Sequence, residues 1–156
     1  MRVVVQRVSA ASVSFEDPAG RPERRAIGKG LVLLLGVGPD DTPADAQHLA
    51  SKVATLRIFP DDEGRFNRAL GDIGGEALVV SQFTLYADTS RGRRPSFIRA
   101  AEPEQANLLY ETFAGALRGL GVPTSTGSFG ARMTVSLDND GPVTLALSTD
   151  LWPTQV

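Results

Sequence analysis

Cysteine is absent from the 156-residue sequence, and histidine occurs once, as His48. The lack of cysteine excludes disulfide bonds, thiolate nucleophiles and metal or iron–sulfur sites with cysteine ligands. A catalytic triad with an imidazole base would have to use His48. Because His48 lies off the apolar stripe of its predicted helix, we interpret it as a solvent-facing residue and not as a catalytic base.

An excess of positive charge is also missing. The 16 Lys and Arg residues stand against 18 Asp and Glu residues, which gives a net charge of −2. Proteins that are held to nucleic acid by their overall charge are usually basic. Any contact with RNA must therefore be local, and we expect no DNA partner. Lysine occurs only at positions 29 and 52, neither of which lies in a phosphate-binding P-loop.

Long apolar runs are lacking as well. No run reaches the roughly 18 residues of a membrane-spanning helix. Residues 1–7 (MRVVVQR) have too short an apolar stretch for a signal peptide, and no small-residue cleavage site follows. We therefore expect a cytoplasmic protein with no membrane partner. The length suits a single domain, predicted over residues 1–150, with a C-terminal tail at 151–156.

Short apolar segments with the character of β-strands are abundant in this sequence. Strands are predicted at residues 2–8, 12–15, 27–37, 77–86, 133–137 and 143–147. The charged segment 16–25, which contains two prolines and a glycine, is predicted to form a hairpin loop. The third of these strands contains the continuous apolar run LVLLL, which is typical of a strand buried on both faces.

Two further segments have the apolar spacing of helices. Thr42 can cap the first of them, and Pro43 suits the first helical position. The second is predicted to start at Glu102-Pro103 and to end at one of two glycines, at 119 or 121. The order of elements predicts a mixed α/β domain, in which a mostly antiparallel sheet or open barrel packs against two helices.

Three polar segments interrupt this pattern. If the strand runs through residues 81–86 (SQFTLY), Gln82 and Thr84 share a face with core residues, which indicates either local bonding or a polar pocket. Residues 91–95 (RGRRP) could hold phosphate groups or form a solvated loop. Residues 139–144 (NDGPVT) indicate, by spacing alone, a turn with a strand-edge proline.

Residues 81–84 (SQFT) and 139–144 (NDGPVT) together resemble the two signature motifs of the D-aminoacyl-tRNA deacylases. Further stretches are similar to that family: MRVVVQRV at 1–8, LRIFP at 56–60, GGEALVVSQFTLYAD at 74–88 and RGRRPSF at 91–97. The resemblance covers nearly the whole chain, and the two motifs in this order are highly specific. Two segments depart from the family pattern: the long, Arg- and Pro-rich loop at 16–25 and the tail after residue 150.

The resemblance implies the fold of that family and hydrolysis of the ester between a D-amino acid and the terminal ribose of tRNA, without a metal or an organic cofactor. It also implies a homodimer with each active site at the subunit interface, where the aminoacylated 3′ end of tRNA binds. In that dimer Gly141-Pro142 would have a cis peptide bond and reach into the pocket of the other protomer. Rigid carbonyl oxygens there would exclude an L side chain. Glycine has no side chain to exclude, so we also expect cleavage of glycyl-tRNA, including glycine mischarged on the alanine tRNA.

The site residues that the resemblance implies fall into three groups. The catalytic group is Ser81, Gln82, Phe83 and Thr84. The group that binds the substrate and rejects the L form is Gly141, Pro142, Met133 and Phe129. The group expected to contact tRNA phosphates is Arg7, Arg91, Arg93 and Arg94.

The identity of the nucleophile stays open between two hypotheses. Thr84 is the natural side-chain candidate, but an unactivated hydroxyl needs a base, and the sequence offers no evident one. We favour a second hypothesis, in which backbone N–H groups around Phe83 and Thr84 stabilise the oxyanion and the 2′-hydroxyl of the substrate assists attack by water.

Three other functions fit parts of the sequence. A related deacylase that edits L-alanine on tRNA would have other residues around the first motif and a trans Gly-Pro bond, and Phe83 after Ser81-Gln82 favours the D-specific branch. A non-catalytic RNA-binding module would bind through the arginines at 91–94 in a salt-sensitive manner without turnover. A small dimeric structural protein would use the two motifs merely as turns.

Overall fold

A computed structural model describes residues 1–90 and 92–150 of the chain; Arg91 and the predicted tail at 151–156 lie outside the described residues. Within them the chain forms eight β-strands and two α-helices. The strands are β1 (Arg2–Glu16), β2 (Pro22–Ile27), β3 (Gly30–Gly36), β4 (Phe59–Pro60), β5 (Phe66–Arg68), β6 (Glu76–Ser81), β7 (Thr124–Thr126) and β8 (Met133–Ser148). The helices are α1 (Pro43–Ala54) and α2 (Pro103–Gly119).

The main sheet is organised around the long strand β1. On one side β1 pairs antiparallel with β8, and on the other it pairs antiparallel with β3 along its first half and with β2 along its second half. Beyond β3 the pairing becomes parallel, first with β6 and then with β7. Arg25 of β2 donates a hydrogen bond to the Thr126 carbonyl oxygen of β7 at 2.8 Å, so the sheet curls until it is nearly closed. The predicted mixed α/β fold with an open-barrel sheet is confirmed.

The hairpin between β1 and β2 is tighter than the sequence predicts. The predicted strands at 2–8 and 12–15 form one continuous strand, and pairing resumes directly at Glu16 opposite Pro22. The predicted loop over 16–25 is therefore wrong in extent, because residues 22–27 belong to β2. The turn closes in five residues since the Asp17 carboxylate accepts hydrogen bonds from the backbone N–H groups of Ala19 and Arg21, at 2.9 and 2.8 Å.

The apolar residues form two core clusters on opposite faces of the sheet. One cluster lies between the sheet and the two helices, which also pack against each other. The other lies inside the curl of the sheet. The strand β3 contributes to both clusters, with Leu31 and Leu33 on the helical side and Val32 on the other, all fully buried. The prediction of a strand buried on both faces is confirmed.

Both helices begin where the sequence predicts. The Thr42 side chain accepts a hydrogen bond from the Asp45 backbone N–H, and the Asp45 carboxylate accepts one from the Thr42 backbone N–H, which completes a capping box before α1. The second helix starts at Pro103 and ends at Gly119. Neither helix in the described part of the chain is long and apolar enough to span a membrane.

Candidate active site

A cleft of about 640 Å³ opens beyond the carboxyl ends of β3 and β6. Because these strands are parallel neighbours, with Leu35 opposite Ser81, the chain segments that leave them lie side by side and form one wall. The start of α2 and the segment before β8 form the opposite walls. Among the described residues that line the cleft, Glu102 alone has an ionisable side chain. The cleft therefore offers backbone groups, amide and hydroxyl side chains and apolar surface.

The SQFT motif forms the wall nearest to the sheet, and here the sequence prediction needs a correction. The strand β6 ends at Ser81, whereas a strand was predicted to continue to residue 86. The Gln82 N–H donates to the Leu35 carbonyl oxygen at 2.7 Å, which makes the last inter-strand bond, and the chain then enters a 3₁₀ helix at Phe83–Tyr86. Ser81, Gln82 and Phe83 consequently line the cleft together.

Thr84 differs from its three neighbours because it does not line the cleft. Its hydroxyl oxygen accepts a hydrogen bond from the Gln82 side-chain amide. The backbone N–H groups of Phe83 and Thr84 lie in the first turn of the 3₁₀ helix, where no intrahelical acceptor precedes them. Of these two residues, Phe83 lines the cleft, while the threonine hydroxyl is engaged by the glutamine.

Arg2, a residue that the sequence analysis did not single out, holds the 3₁₀ helix in place. Arg2 donates to the Leu85 carbonyl oxygen at 2.9 Å, and its guanidinium carbon lies 4.1 Å from the centroid of the Tyr86 ring. Burial, together with the nearby Asp41 carboxylate, raises the pKa of Tyr86 far above its usual range. A Cβ atom on Gly36 would lie 3.0 Å from the Gln82 carbonyl oxygen, which shows how closely β3 approaches this segment.

Phe129 and Met133, two of the predicted substrate-binding residues, do line the cleft. The Phe129 ring packs on Tyr110, with ring centroids 6.0 Å apart, and the Tyr110 hydroxyl donates to a backbone carbonyl of β6 at 2.9 Å. Met133 lies over Gly127, where a Cβ atom would be 2.6 Å from the Met133 sulfur. The contacts with Tyr110 and Gly127 therefore fix the positions of the Phe129 and Met133 side chains.

The rim of the cleft is apolar and open. The rings of Phe83 and Phe97 meet edge to face, with centroids 5.0 Å apart, and Phe83 is 54% exposed. Ile98, also on the rim, is 90% exposed. This exposed aromatic pair lies at the mouth of the cleft.

The four arginines predicted to contact tRNA phosphates have different surroundings. Arg93 and Arg94 are exposed on the loop that leads to the cleft rim, and Arg91 lies outside the described residues. Arg7 is buried, with 6% of its surface exposed. Its guanidinium group is engaged within the protein, so the structure does not favour Arg7 as a phosphate contact.

Gly141 and Pro142 lie apart from the cleft of their own chain. Residues 140–143 leave the β1–β8 ladder, because Gln6 pairs with Thr144 while Val8 pairs with Asn139. The predicted turn is thus an excursion within the single strand β8. The Asn139 side-chain amide closes its base by donating to the Val143 carbonyl oxygen at 3.0 Å. Gly141 and Pro142 are exposed at its tip, and the peptide bond between them is cis.

Arg7 supports this excursion. It forms an ion pair with Asp140 at 2.9 Å and donates to the Ile58 carbonyl oxygen at 2.6 Å. A signal for this role is present in the sequence. Arg7 continues the alternation of the core-facing Val3 and Val5 along β1, and a charged residue at a core-facing position needs fixed partners.

His48 is exposed on α1 and lines a groove between that helix and the end of β8, away from the cleft. This placement agrees with the interpretation of His48 as a solvent-facing residue. In residues 1–90 and 92–150, no group of three or more Asp, Glu or His side chains is placed to hold a metal ion.

Comparison with known proteins identifies relatives along almost the whole chain. The family model for D-Tyr-tRNA(Tyr) deacylase matches residues 4–148. D-aminoacyl-tRNA deacylase from Roseiflexus sp. (strain RS-1) is 62% identical over 152 residues, which cover 97% of this chain and 96% of the relative. The enzyme of the same name from Thermomicrobium roseum is 57% identical over 149 residues, which cover 96% of this chain and 94% of the relative.

Two solved structures share the fold. A protein titled c-Myc DNA Unwinding Element Binding Protein superposes with a TM-score of 0.86 at 39% identity, over 96% of this chain and 99% of the other. A structure described as a probable eukaryotic D-amino acid tRNA deacylase gives a TM-score of 0.78 at 19% identity, over 94% of this chain and 97% of the other. The family match and the close relatives, together with a cleft built from the SQFT motif, place this chain in the D-Tyr-tRNA(Tyr) deacylase family.

Proposed function

We propose that this protein hydrolyses the ester bond of D-aminoacyl-tRNA and releases the free D-amino acid and tRNA. The observation on which the proposal depends is the cleft whose wall is the SQFT motif, in a chain of this family. The cleft is open at an aromatic rim and is polar along one wall, which suits an aminoacylated 3′-terminal nucleotide. The test is to assay D-tyrosyl-tRNA and L-tyrosyl-tRNA in parallel. We expect the protein to cleave the D ester and not the L ester; cleavage of the L ester alone would overturn the proposal.

In the proposed mechanism, water attacks the ester carbonyl carbon. The carbonyl oxygen becomes an oxyanion, which the backbone N–H groups of Phe83 and Thr84 stabilise. The 2′-hydroxyl of the terminal ribose relays a proton from the water to the departing 3′-oxygen, so that the amino acid leaves as the free acid and the tRNA keeps both hydroxyls.

Two features of the cleft favour this route over attack by Thr84. The Thr84 hydroxyl oxygen accepts a hydrogen bond from Gln82, and no imidazole or amine side chain among the described lining residues could take its proton. Under our proposal, Thr84→Ala retains most of the activity, and a substrate that ends in 2′-deoxyadenosine is cleaved slowly. A Thr84→Ala variant slowed by several orders of magnitude would instead identify Thr84 as the nucleophile.

We further propose that the protein is a homodimer in which Gly141-Pro142 of one subunit rejects L-aminoacyl groups in the cleft of the other. The support is geometric, since the dipeptide is exposed and does not line the cleft of its own chain. The same arrangement would admit glycine, so glycyl-tRNA, including glycine on the alanine tRNA, is an expected second substrate. Equal rejection of glycyl-tRNA and L-tyrosyl-tRNA would contradict this filter.

A mixing experiment tests whether the site is shared. In Gly141→Ala the new Cβ would lie 2.8 Å from the Val143 Cγ2 atom and 2.9 Å from the Arg7 Nη2 atom, at a φ of +118°, so the turn must shift. This variant should cleave both D and L esters. An excess of a Phe83→Pro chain, which lacks one of the two proposed oxyanion donors and should be inactive, would supply an intact turn to each Gly141→Ala cleft, and L cleavage should fall while D cleavage remains. Unchanged L cleavage would show that the turn acts within its own chain.

The exposed arginines suit contact with the tRNA backbone outside the cleft. Arg93 and Arg94 lie on the loop next to the rim formed by Phe97. Replacing both with glutamine should weaken tRNA binding and reduce its dependence on salt concentration, without changing the preference for D over L esters.

A further inference from the structure

The hairpin formed by β4 and β5 contacts the buried side of the Gly141-Pro142 turn through Arg7. Two groups of this hairpin contact the guanidinium of Arg7. The Ile58 carbonyl oxygen, just before β4, accepts a hydrogen bond from Nη1 at 2.6 Å. The ring of Phe66, the first residue of β5, has its centroid 5.2 Å from the guanidinium carbon. This hairpin contains none of the residues that the family resemblance assigns to the site.

The other side of the same guanidinium faces the turn. Nε lies 2.9 Å from the Asp140 carboxylate and 3.3 Å from the Asp140 carbonyl oxygen. Nη2 approaches Gly141 so closely that a Cβ atom there would lie 2.9 Å from it. The guanidinium therefore lies between the hairpin and the turn, and its position determines where the Asp140–Gly141 backbone can sit.

The aromatic ring in this arrangement is unusual because it is mostly exposed. Phe66 has 56% of its surface accessible, whereas Phe59, which lies opposite Arg68 in the same hairpin, is fully buried in the core. An exposed aromatic side chain contributes little to the core, but its π face attracts a nearby guanidinium and shields it from water. The hairpin itself is held in shape from its tip, where the Asp61 carboxylate accepts hydrogen bonds from two backbone N–H groups, each at 2.9 Å.

We propose that Phe66 is a positioning residue for the stereochemical filter: its ring holds the Arg7 guanidinium against the Asp140–Gly141 backbone and so fixes the turn that excludes L-aminoacyl groups. This inference rests on the proposed function of the Gly141-Pro142 turn. It predicts that loss of the ring changes the choice between D and L esters more than it changes the rate of D cleavage.

The test compares the full-length protein with Phe66→Ala, Phe66→Leu and Phe66→Tyr, each assayed on D-tyrosyl-tRNA and L-tyrosyl-tRNA. The expected result is a roughly two- to fivefold fall in the D-to-L ratio of kcat/KM for Phe66→Ala, mainly because L cleavage rises. Phe66→Tyr keeps the aromatic face and should keep the ratio, while Phe66→Leu keeps apolar bulk without that face and should behave like Phe66→Ala. Leu108→Ala is the matched control, since Leu108 is 62% exposed on α2.

A second measurement reports on the guanidinium directly. In a 15N-labelled protein the Arg7 Nε–H signal should exchange slowly with water, and Phe66→Ala should speed that exchange and shift the resonance by removing the ring current. An unchanged D-to-L ratio and an unchanged Arg7 signal in Phe66→Ala would overturn the inference. So would an equal loss in Phe66→Tyr and Phe66→Ala. Failure of the unmodified protein to prefer the D ester would instead refute the proposed function.

Discussion

Replacement of Arg7 by methionine separates the two tasks assigned to this side chain, namely filling a core-facing position and holding a turn. Methionine keeps an apolar stem of similar length in a site where the arginine side chain is only 7% exposed. It removes the donor to the Ile58 carbonyl oxygen and the partner of Asp140. Stability and stereochemical selectivity should therefore both fall.

The two lost partners contribute unequally. Loss of the donor to a buried carbonyl costs about 1–3 kcal/mol, because the oxygen is left without a partner. The Asp140 carboxylate is 41% exposed, so water replaces the arginine there and the ion pair contributes no more than about 1 kcal/mol. We expect the free energy of unfolding to fall by about 1–4 kcal/mol in total.

Urea unfolding at one fixed protein concentration measures this change, since the stability of the proposed homodimer would depend on concentration. The control is Arg21→Met, because the Arg21 side chain is 78% exposed and pairs with Asp17 within a loop. The control should lose less than about 1 kcal/mol. On aminoacyl-tRNA, Arg7→Met should gain L cleavage while the control keeps full selectivity. If the two variants unfold at the same urea concentration and discriminate equally well, Arg7 does not support the turn.

Three further predictions concern the scaffold. Tyr110→Phe should cost about 1 kcal/mol in thermal or urea unfolding and no more, because the Val79 carbonyl oxygen keeps a second, backbone donor. Gly115→Ala should raise the free energy of unfolding by about 0.5–1 kcal/mol, since the new methyl group on α2 would meet no neighbouring side chain or chain segment within 4 Å. Hydrogen bonds from Thr42 lower the pKa of Asp45 below 3.8, so its stabilising effect is present above pH 3.8 and is lost as the pH falls through the lower folded-state pKa. Asp45→Asn should therefore lose less stability than the unmodified protein between pH 5 and pH 2, by acid unfolding.

Elements governed by local rules were predictable from the sequence. The first turn of α1 follows from Thr42, Pro43 and the acidic residue three places after the cap, and the structure forms that capping box. The two-sided burial of β3 follows from an unbroken apolar run. In both cases the deciding interactions lie within a few residues of each other along the chain.

Elements decided by distant contacts were not predictable in the same way. The end of β6 depends on a bond from the Gln82 N–H to Leu35, a residue on another strand, so spacing alone extends the strand too far. The excursion at residues 140–143 depends on register with β1, which is more than a hundred residues away in the chain. The role of Arg7 depends on two distant partners, Ile58 and Asp140, although its place in the alternation of β1 already marks it as unusual.

The strand β1 connects the two halves of the proposed site. Arg2 anchors the 3₁₀ helix of the SQFT wall, and Arg7 anchors the turn that bears Gly141 and Pro142. These arginines are five residues apart on one strand, so their side chains point to opposite faces of the sheet and their Cα atoms are separated by roughly 16 Å. Gly141 and Pro142 do not line the cleft of their own chain, which supports the proposed filter shared between two copies of the chain. In that arrangement β1 fixes the position of each segment relative to the other within every copy.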